Sequence, residues 1–160
     1  MHDITYRPIG IIHSSFKEPK GMPIQPSGAE GSEGWADIFP EFVPGLKDVD
    51  GFSHLVLLYH FHLSEDYSLE VVPFMDDTLR GVFSTRAPKR PNPIGLSVVR
   101  LVSVRGSRLH FKDVDIVDGT PLLDIKPFVA DIDNRETPAI GWLSKKAMGF
   151  RTKRSDERFQ

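Results

Sequence analysis

Between residues 81 and 95 the chain reads Gly81-Val82-Phe83-Ser84-Thr85-Arg86-Ala87-Pro88-Lys89-Arg90-Pro91-Asn92-Pro93-Ile94-Gly95, with three prolines and three cations in one connection between strand-like segments. Each proline fixes its own φ and restricts the residue before it, so the loop is stiff and holds its side chains at low entropic cost. Arg86, at the end of a strand, is suited to grip a carboxylate through two parallel hydrogen bonds, while Lys89 and Arg90, with Asn92 beside them, are suited to phosphates. A plain surface turn would not need the cations. A second cluster is Asp118-Gly119-Thr120-Pro121 followed by Leu123-Asp124-Ile125-Lys126-Pro127. Asp-Gly is also a hairpin signal, and Asp124 and Lys126 share one face of a strand and can pair with each other. A third is His60 and His62, spaced as a metal pair that Asp131 or Asp133 would complete. Nothing in the sequence fixes that third ligand, and strand histidines are commonly hydrogen-bonded near the core.

The charges are sorted unevenly although they nearly cancel, at a net −2. Acids crowd residues 18–77, where Lys20 and Lys47 are the only lysines or arginines, whereas residues 78–111 hold no acid and carry Arg80, Arg86, Lys89, Arg90, Arg100, Arg105 and Arg108. Converging in space, such cations make a phosphate-attracting face. Arg100, Arg105 and Arg108 read instead as solvated arginines on strands. The absence of cysteine excludes disulfides, thiolate metal sites and thiol nucleophiles. No apolar run of about 18 residues occurs, and the N-terminus lacks the basic and apolar pattern of a signal, so a soluble cytoplasmic protein without a membrane role is expected.

The elements that must position these residues read as strands. Ile4 to His13 is β-branched and extended, with Pro8 at an edge or bulge. Residues 17–34 are rich in glycine and proline and form a long loop. Trp35 to Phe39 alternates, and His54 to Leu63 is nearly continuous in apolar residues, as in a central strand buried on both faces. Further strands are expected at Leu69 to Pro73, Arg80 to Thr85, Leu96 to Val104 turning at Gly106-Ser107 into Leu109 to Phe111, Val114 to Val117, and Leu122 to Phe128. No convincing amphipathic helix of ten or more residues interrupts them, and no G-x-G-x-x-G or P-loop pattern is present. The expectation is an all-β fold: one small single-sheeted β-barrel over residues 1–143, with long functional loops and little helix. Residues 144–160, with Lys145-Lys146 and Arg151-Thr152-Lys153-Arg154, read as a mobile basic polar tail that can add to the hold on a polyanion.

Several motifs in the same order resemble one family: Gly81-Val82-Phe83-Ser84-Thr85-Arg86, Arg90-Pro91-Asn92-Pro93-Ile94-Gly95-Leu96-Ser97, Asp115-Ile116-Val117-Asp118-Gly119-Thr120-Pro121 and Asp124-Ile125-Lys126-Pro127. Together they are similar to the TrmO family, also called TsaA-like or UPF0066, from Ile9 to about Leu143. The resemblance implies a β-barrel that binds S-adenosylmethionine, commonly as a homodimer. It also implies methylation of the exocyclic N6 amine of threonylcarbamoyladenosine beside the anticodon of transfer RNA. It further implies a cofactor site built from Pro23, Gln25, His62, Leu63, Arg86, Leu96, Asp115, Ile116, Val117, Asp118 and Gly119, without a metal. The family's Pro-Arg-Gln is here Pro23-Ile24-Gln25.

Methyl transfer from a sulfonium needs in-line positioning rather than a covalent intermediate. A carbamoylated amine must lose its proton, for which Asp118 is the first candidate acceptor and His62 the second. Lys89, Arg90, Asn92 and Lys126 are the candidate substrate contacts. Two other readings use the same residues: a non-catalytic RNA-binding barrel, and a metal-dependent barrel enzyme built on His60 and His62.

Overall fold

The computed structural model describes residues 2–22, 29–74, 76–145 and 155–156. Six strands close into one antiparallel barrel in the order β1 (Gly10–Ser14), β2 (Glu33–Ile38), β7 (Arg108–Lys112), β6 (Ile94–Arg105), β3 (His54–His60) and β8 (Thr120–Pro127), and β8 pairs back onto β1. Closure leaves no free sheet edge. A separate two-stranded ladder joins β4 (Glu70–Val71) to β5 (Arg80–Gly81). Helix among the described residues is confined to α1 (Ala130–Asp133) and short 3-10 turns, so the expected all-β barrel with little helix is the fold observed.

A barrel this narrow has room inside only for side chains, and alternation along each strand supplies them. Leu55, Leu57 and Tyr59 of β3 point inward and meet Ile12, Ala36, Val99, Leu109, Phe111 and Leu122 from the other strands. The long strand β6 serves two partners, β3 along its first half and β7 along its second, with the register shifting between Leu101 and Ser103. Gly10 sits where β1 crosses β2 so closely that a Cβ would lie 2.4 Å from the carbonyl oxygen of Asp37.

Four expectations change. The first strand starts at Gly10 rather than Ile4: residues 2–8 are exposed, with Ile4 77% accessible, because no neighbouring strand is there to pair with them. β3 is buried on one face, not two, and ends at His60, where Phe61, His62 and Leu63 turn away. The apolar residues on its other face are half-buried; in a barrel only one face of a strand meets the interior. Residues 80–85 contribute two ladder positions and then a 3-10 turn, Val82–Ser84. Residues 114–117 alternate buried and half-buried without joining the sheet. Serine hydroxyls fix them instead: Ser32 donates to the Val114 carbonyl at 2.7 Å and Ser14 to that of Ile116 at 2.6 Å.

Candidate functional site

Beside the barrel core lies a cavity of about 370 Å³. Its wall is assembled from four places: the start of β6 (Ile94, Gly95, Leu96), the turn after β3 (Phe61, His62, Leu63, Ser64), the proline-rich loop (Thr85, Arg86, Pro88, Arg90) and residues 115–117 with Thr120. Tyr59 of β3, Pro19 and Met22 of the early loop, Phe74 and Ser155 complete it.

The loop's cations divide by task. The Arg90 guanidinium donates from Nη1 to the carbonyls of Val82, Thr85 and Ala87 at 3.2, 3.0 and 3.4 Å and lies over the Phe83 ring. The loop therefore folds around Arg90, whose Nη1 is engaged by backbone while the residue also lines the cavity. Arg86 is exposed and forms no hydrogen bond or ion pair with the described residues, so its five donors face the cavity unspent. Lys89 and Asn92 lie outside the cavity lining, and Lys126 pairs with Asp124 at 2.7 Å on β8.

Opposite in charge to Arg86 is Asp115. Its Oδ1 accepts the Ser97 hydroxyl at 2.6 Å, and Ser97 in turn meets the Tyr59 hydroxyl at 3.0 Å. Burial pushes the Asp115 carboxyl up to about 6, against the opposing pull of the Ser97 hydrogen bond and the Arg86 charge. Burial also raises Tyr59, helped by the negative charge of Asp115. On the far wall His62 is lowered by burial and by the neighbouring His60, which keeps its imidazole neutral near pH 7. Thr120 donates its only hydrogen to the Val117 carbonyl at 2.7 Å, so the 3.2 Å contact to His62 Nδ1 requires that nitrogen to carry the proton. The acceptor lone pair of His62 is then on Nε2.

Asp118 sits elsewhere. Its Oδ2 accepts from Lys17 Nζ at 2.7 Å, while Oδ1 faces the Ser14 amide at 3.1 Å and His13 Nδ1 at 3.3 Å. The Lys17 hydrogen bond, with the Ser14 amide adding to it, holds the carboxyl below its ordinary value, and the residue is not part of the cavity wall. A carboxylate so held is a poor base, and its work is to tie the turn before β8 to the end of β1. Gly119, also outside the lining, takes a left-handed φ of 79° to complete that turn. Asp118→Ala is expected to cost about 1–2 kcal/mol in a denaturant melt at pH 7. The folded-state value lies below the unfolded one, so this contribution is present above the ordinary carboxyl pKa and fades as pH falls through the lowered value.

Of the residues expected at a cofactor site, the cavity thus brings together His62, Leu63, Arg86, Leu96, Asp115, Ile116 and Val117. Pro23 and Gln25 lie outside the described residues, as do residues 146–154 and 157–160 of the basic tail. Ser155, from within that tail, reaches the cavity wall: its amide donates to the Met22 carbonyl at 2.8 Å and its carbonyl accepts from the Gly21 amide at 3.0 Å. Tyr59, Ser97 and Ser155 were not legible as site residues, though a serine in the inward row of β6 is the kind of signal that finds one. His60 closes β3 while His62 lies in the turn, and among the described residues no three His, Asp or Glu gather as metal ligands. Asp133 instead accepts the Val129 amide at 2.7 Å.

A closed six-stranded barrel with a ligand-sized cavity, walled by an unspent guanidinium and a half-buried carboxylate, defines a barrel protein built to hold a charged small molecule. The chain belongs to the tRNA-methyltransferase O N-terminal domain family, whose pattern it matches over residues 11–134. It is 58% identical over 156 residues to a protein of Pyrococcus abyssi named as a probable S-adenosyl-L-methionine-binding protein, covering 98% of this chain and 85% of that one. It is 38% identical over 145 residues to the mouse tRNA (adenine(37)-N6)-methyltransferase, covering 86% of this chain and 34% of that protein. The crystal structure of TrmO from Pseudomonas aeruginosa superposes with a TM-score of 0.74 at 37% identity, over 88% of this chain. This chain spans 63% of the length of that solved chain. No helix among the described residues is long and apolar enough to cross a membrane.

Proposed function

We propose that this chain binds S-adenosylmethionine in the cavity and directs its methyl group to the exocyclic N6 amine of threonylcarbamoyladenosine beside a transfer-RNA anticodon. The observation that carries the reading is the pairing, across one cavity of about 370 Å³, of unspent Arg86 with half-buried Asp115. S-adenosylmethionine presents a carboxylate, an ammonium, ribose hydroxyls and a flat purine, and these match the wall. Arg86 suits the carboxylate, Phe61, Leu63 and Leu96 suit the purine face, and Asp115 is left to face the reacting amine. His62, Ile116 and Val117 complete the contacts.

When bound, the cofactor supplies a methyl group on a positively charged sulfur. The chain's own task is to hold donor and amine in line and to keep water from the reacting atoms. Such positioning is worth up to roughly 7–11 kcal/mol of barrier. The proline-rich loop suits that task, because Arg90 locks it through three backbone carbonyls before any ligand arrives. The family membership and the relatives named for S-adenosylmethionine and for adenine N6 support the reading. A homodimer in the cytoplasm, with residues 1–143 as the catalytic barrel and the basic residues of 144–160 aiding RNA binding, belongs to the same proposal.

Calorimetric titration with S-adenosylmethionine tests it. Wild-type protein is expected to bind, and Arg86→Ala to bind about 10- to 100-fold more weakly, the loss of a charge-assisted bidentate contact. Incubation with transfer RNA carrying or lacking the threonylcarbamoyl group, read by mass spectrometry of the nucleosides, tests the substrate. Absence of binding, or an Arg86→Ala affinity equal to wild type, sinks the cofactor assignment and favours a non-catalytic RNA-binding barrel.

A further inference from the structure

Two groups in the cavity wall are chemically able to take a proton near neutrality, Asp115 and His62. We propose that Asp115 is the proton acceptor for the amine being methylated, with Ser97 and Tyr59 as the residues that position it. The inference rests on the function proposed above and adds the residue that performs its proton transfer.

The geometry is a directed chain of hydrogen bonds running from the barrel core to the cavity. Ser97 is 1% exposed and Tyr59 5% exposed, so both side chains are buried. Ser97 has a single hydrogen, and the 2.6 Å contact gives it to Asp115 Oδ1. Tyr59 must then be the donor across the 3.0 Å contact to Ser97. The Tyr59 ring is held in turn by an edge-on contact with Phe61 at 5.5 Å and by Gly95, whose bare Cα leaves space for it. The chain ends at Tyr59, whose hydroxyl is partnered by Ser97. Its effect is to orient, through Oδ1, a carboxylate that lines the cavity.

The charges facing this carboxylate are Arg86 of the proline-rich loop and, behind Ser97, the neutral phenol of Tyr59 on β3; Arg90 and neutral His62 also line the cavity. Burial brings its basicity close to the working pH, where a general base is most effective. Asp115 is the only carboxylate among the described residues of the wall. Its negative charge also stands opposite the positive charge that passes from sulfur to nitrogen in the transition state, which neutral His62 does not supply. In the step itself the N6 lone pair forms the new N–C bond and the C–S bond breaks with its pair going to sulfur. The N6 proton moves to Asp115 Oδ2, which releases it to solvent once the product leaves.

The test combines turnover, affinity and a titration of the ligand-free protein. Asp115→Asn is expected to lower kcat by about 10²- to 10⁴-fold while S-adenosylmethionine affinity stays within about threefold. Carboxyl carbon NMR of wild-type protein is expected to show Asp115 titrating near 6. Ser97→Ala removes a hydrogen bond that favours the ionised form, so the midpoint moves up, and the acidic limb of the kcat profile moves up with it. The proposal fails if Asp115→Asn keeps wild-type turnover, or if it loses cofactor affinity in step with activity, which would make the carboxylate a binding contact. It fails equally if Ser97→Ala moves the NMR midpoint and leaves the kcat limb in place. Wild-type protein that binds the cofactor but methylates no transfer RNA overturns the proposed function, and this assignment with it. An active wild type beside an active Asp115→Asn overturns only the assignment.

Discussion

Gly95→Ala is expected to lower stability by about 3 kcal/mol, the upper part of the range for overpacked interiors. Gly95 pairs directly with Tyr59 across β6 and β3, and the phenol ring lies over its Cα. A Cβ added there would stand 2.2 Å from Cε2 and 2.4 Å from Cζ of that ring, well inside any real contact. Moving the ring costs its present contacts. It is buried, packed edge-on to Phe61, and tethered through its hydroxyl to Ser97. Displacing it breaks that hydrogen bond and leaves the Ser97–Asp115 pair without its support, so turnover falls along with stability. For a domain of this size the loss corresponds to a drop in Tm of roughly 6–12 °C. A double-mutant cycle checks the cause: in a Tyr59→Leu background the alanine is expected to cost less than about 1 kcal/mol. An undiminished cost there would mean that the clash is with something other than the ring.

The same pair of residues illustrates what could be read from the sequence. Period-two patterning made β2 legible, because an antiparallel strand with one buried face writes its alternation into residue type, and the turn at Gly106-Ser107 marked the β6–β7 hairpin; β3, nearly continuous in apolar residues, was legible as a strand but not as one with a single buried face. Where alternation arose without a ladder, as in residues 114–117, the same signal misled, since serine hydroxyls pinned that segment in place of a neighbouring strand. The cations of the proline-rich loop were legible as a group but not by role. Only the fold separates Arg90, whose Nη1 is held by three carbonyls, from Arg86, which bonds to none of the described residues. Asp115 and Asp118, three residues apart in one motif, are separated in the same way. One lines the cavity and is raised by burial; the other meets Lys17 outside the cavity lining and is lowered by it. Nothing in their spacing says which is which, because the intervening backbone follows neither a helix nor a strand.

Asp115→Asn is expected to be more stable than wild type at pH 7 and above, by up to about 3 kcal/mol, and the advantage is expected to vanish below about pH 4. The carboxyl rises from 3.8 to about 6 on folding, chiefly because burial penalises its charge. A folded-state value above the unfolded one means the group favours the folded state below 3.8 and loses that contribution as pH rises through about 6. Asparagine has the same shape and accepts the Ser97 hydrogen bond through its own oxygen, but it has no charge to bury. The variant therefore lacks this slope, and the two stability curves separate between about pH 4 and 6. Asp37 and Asp118, held low chiefly by Arg108 and Lys17, give both proteins the opposite slope at acid pH, which cancels in the difference. Denaturant titrations of the two proteins across pH 4–8 measure that difference directly. Curves that stay parallel would show that the Asp115 charge is not costly in the folded protein. Curves that separate between about pH 4 and 6 and keep a constant gap above it would show a carboxylate kept at the expense of stability, as expected of a group retained for its chemistry.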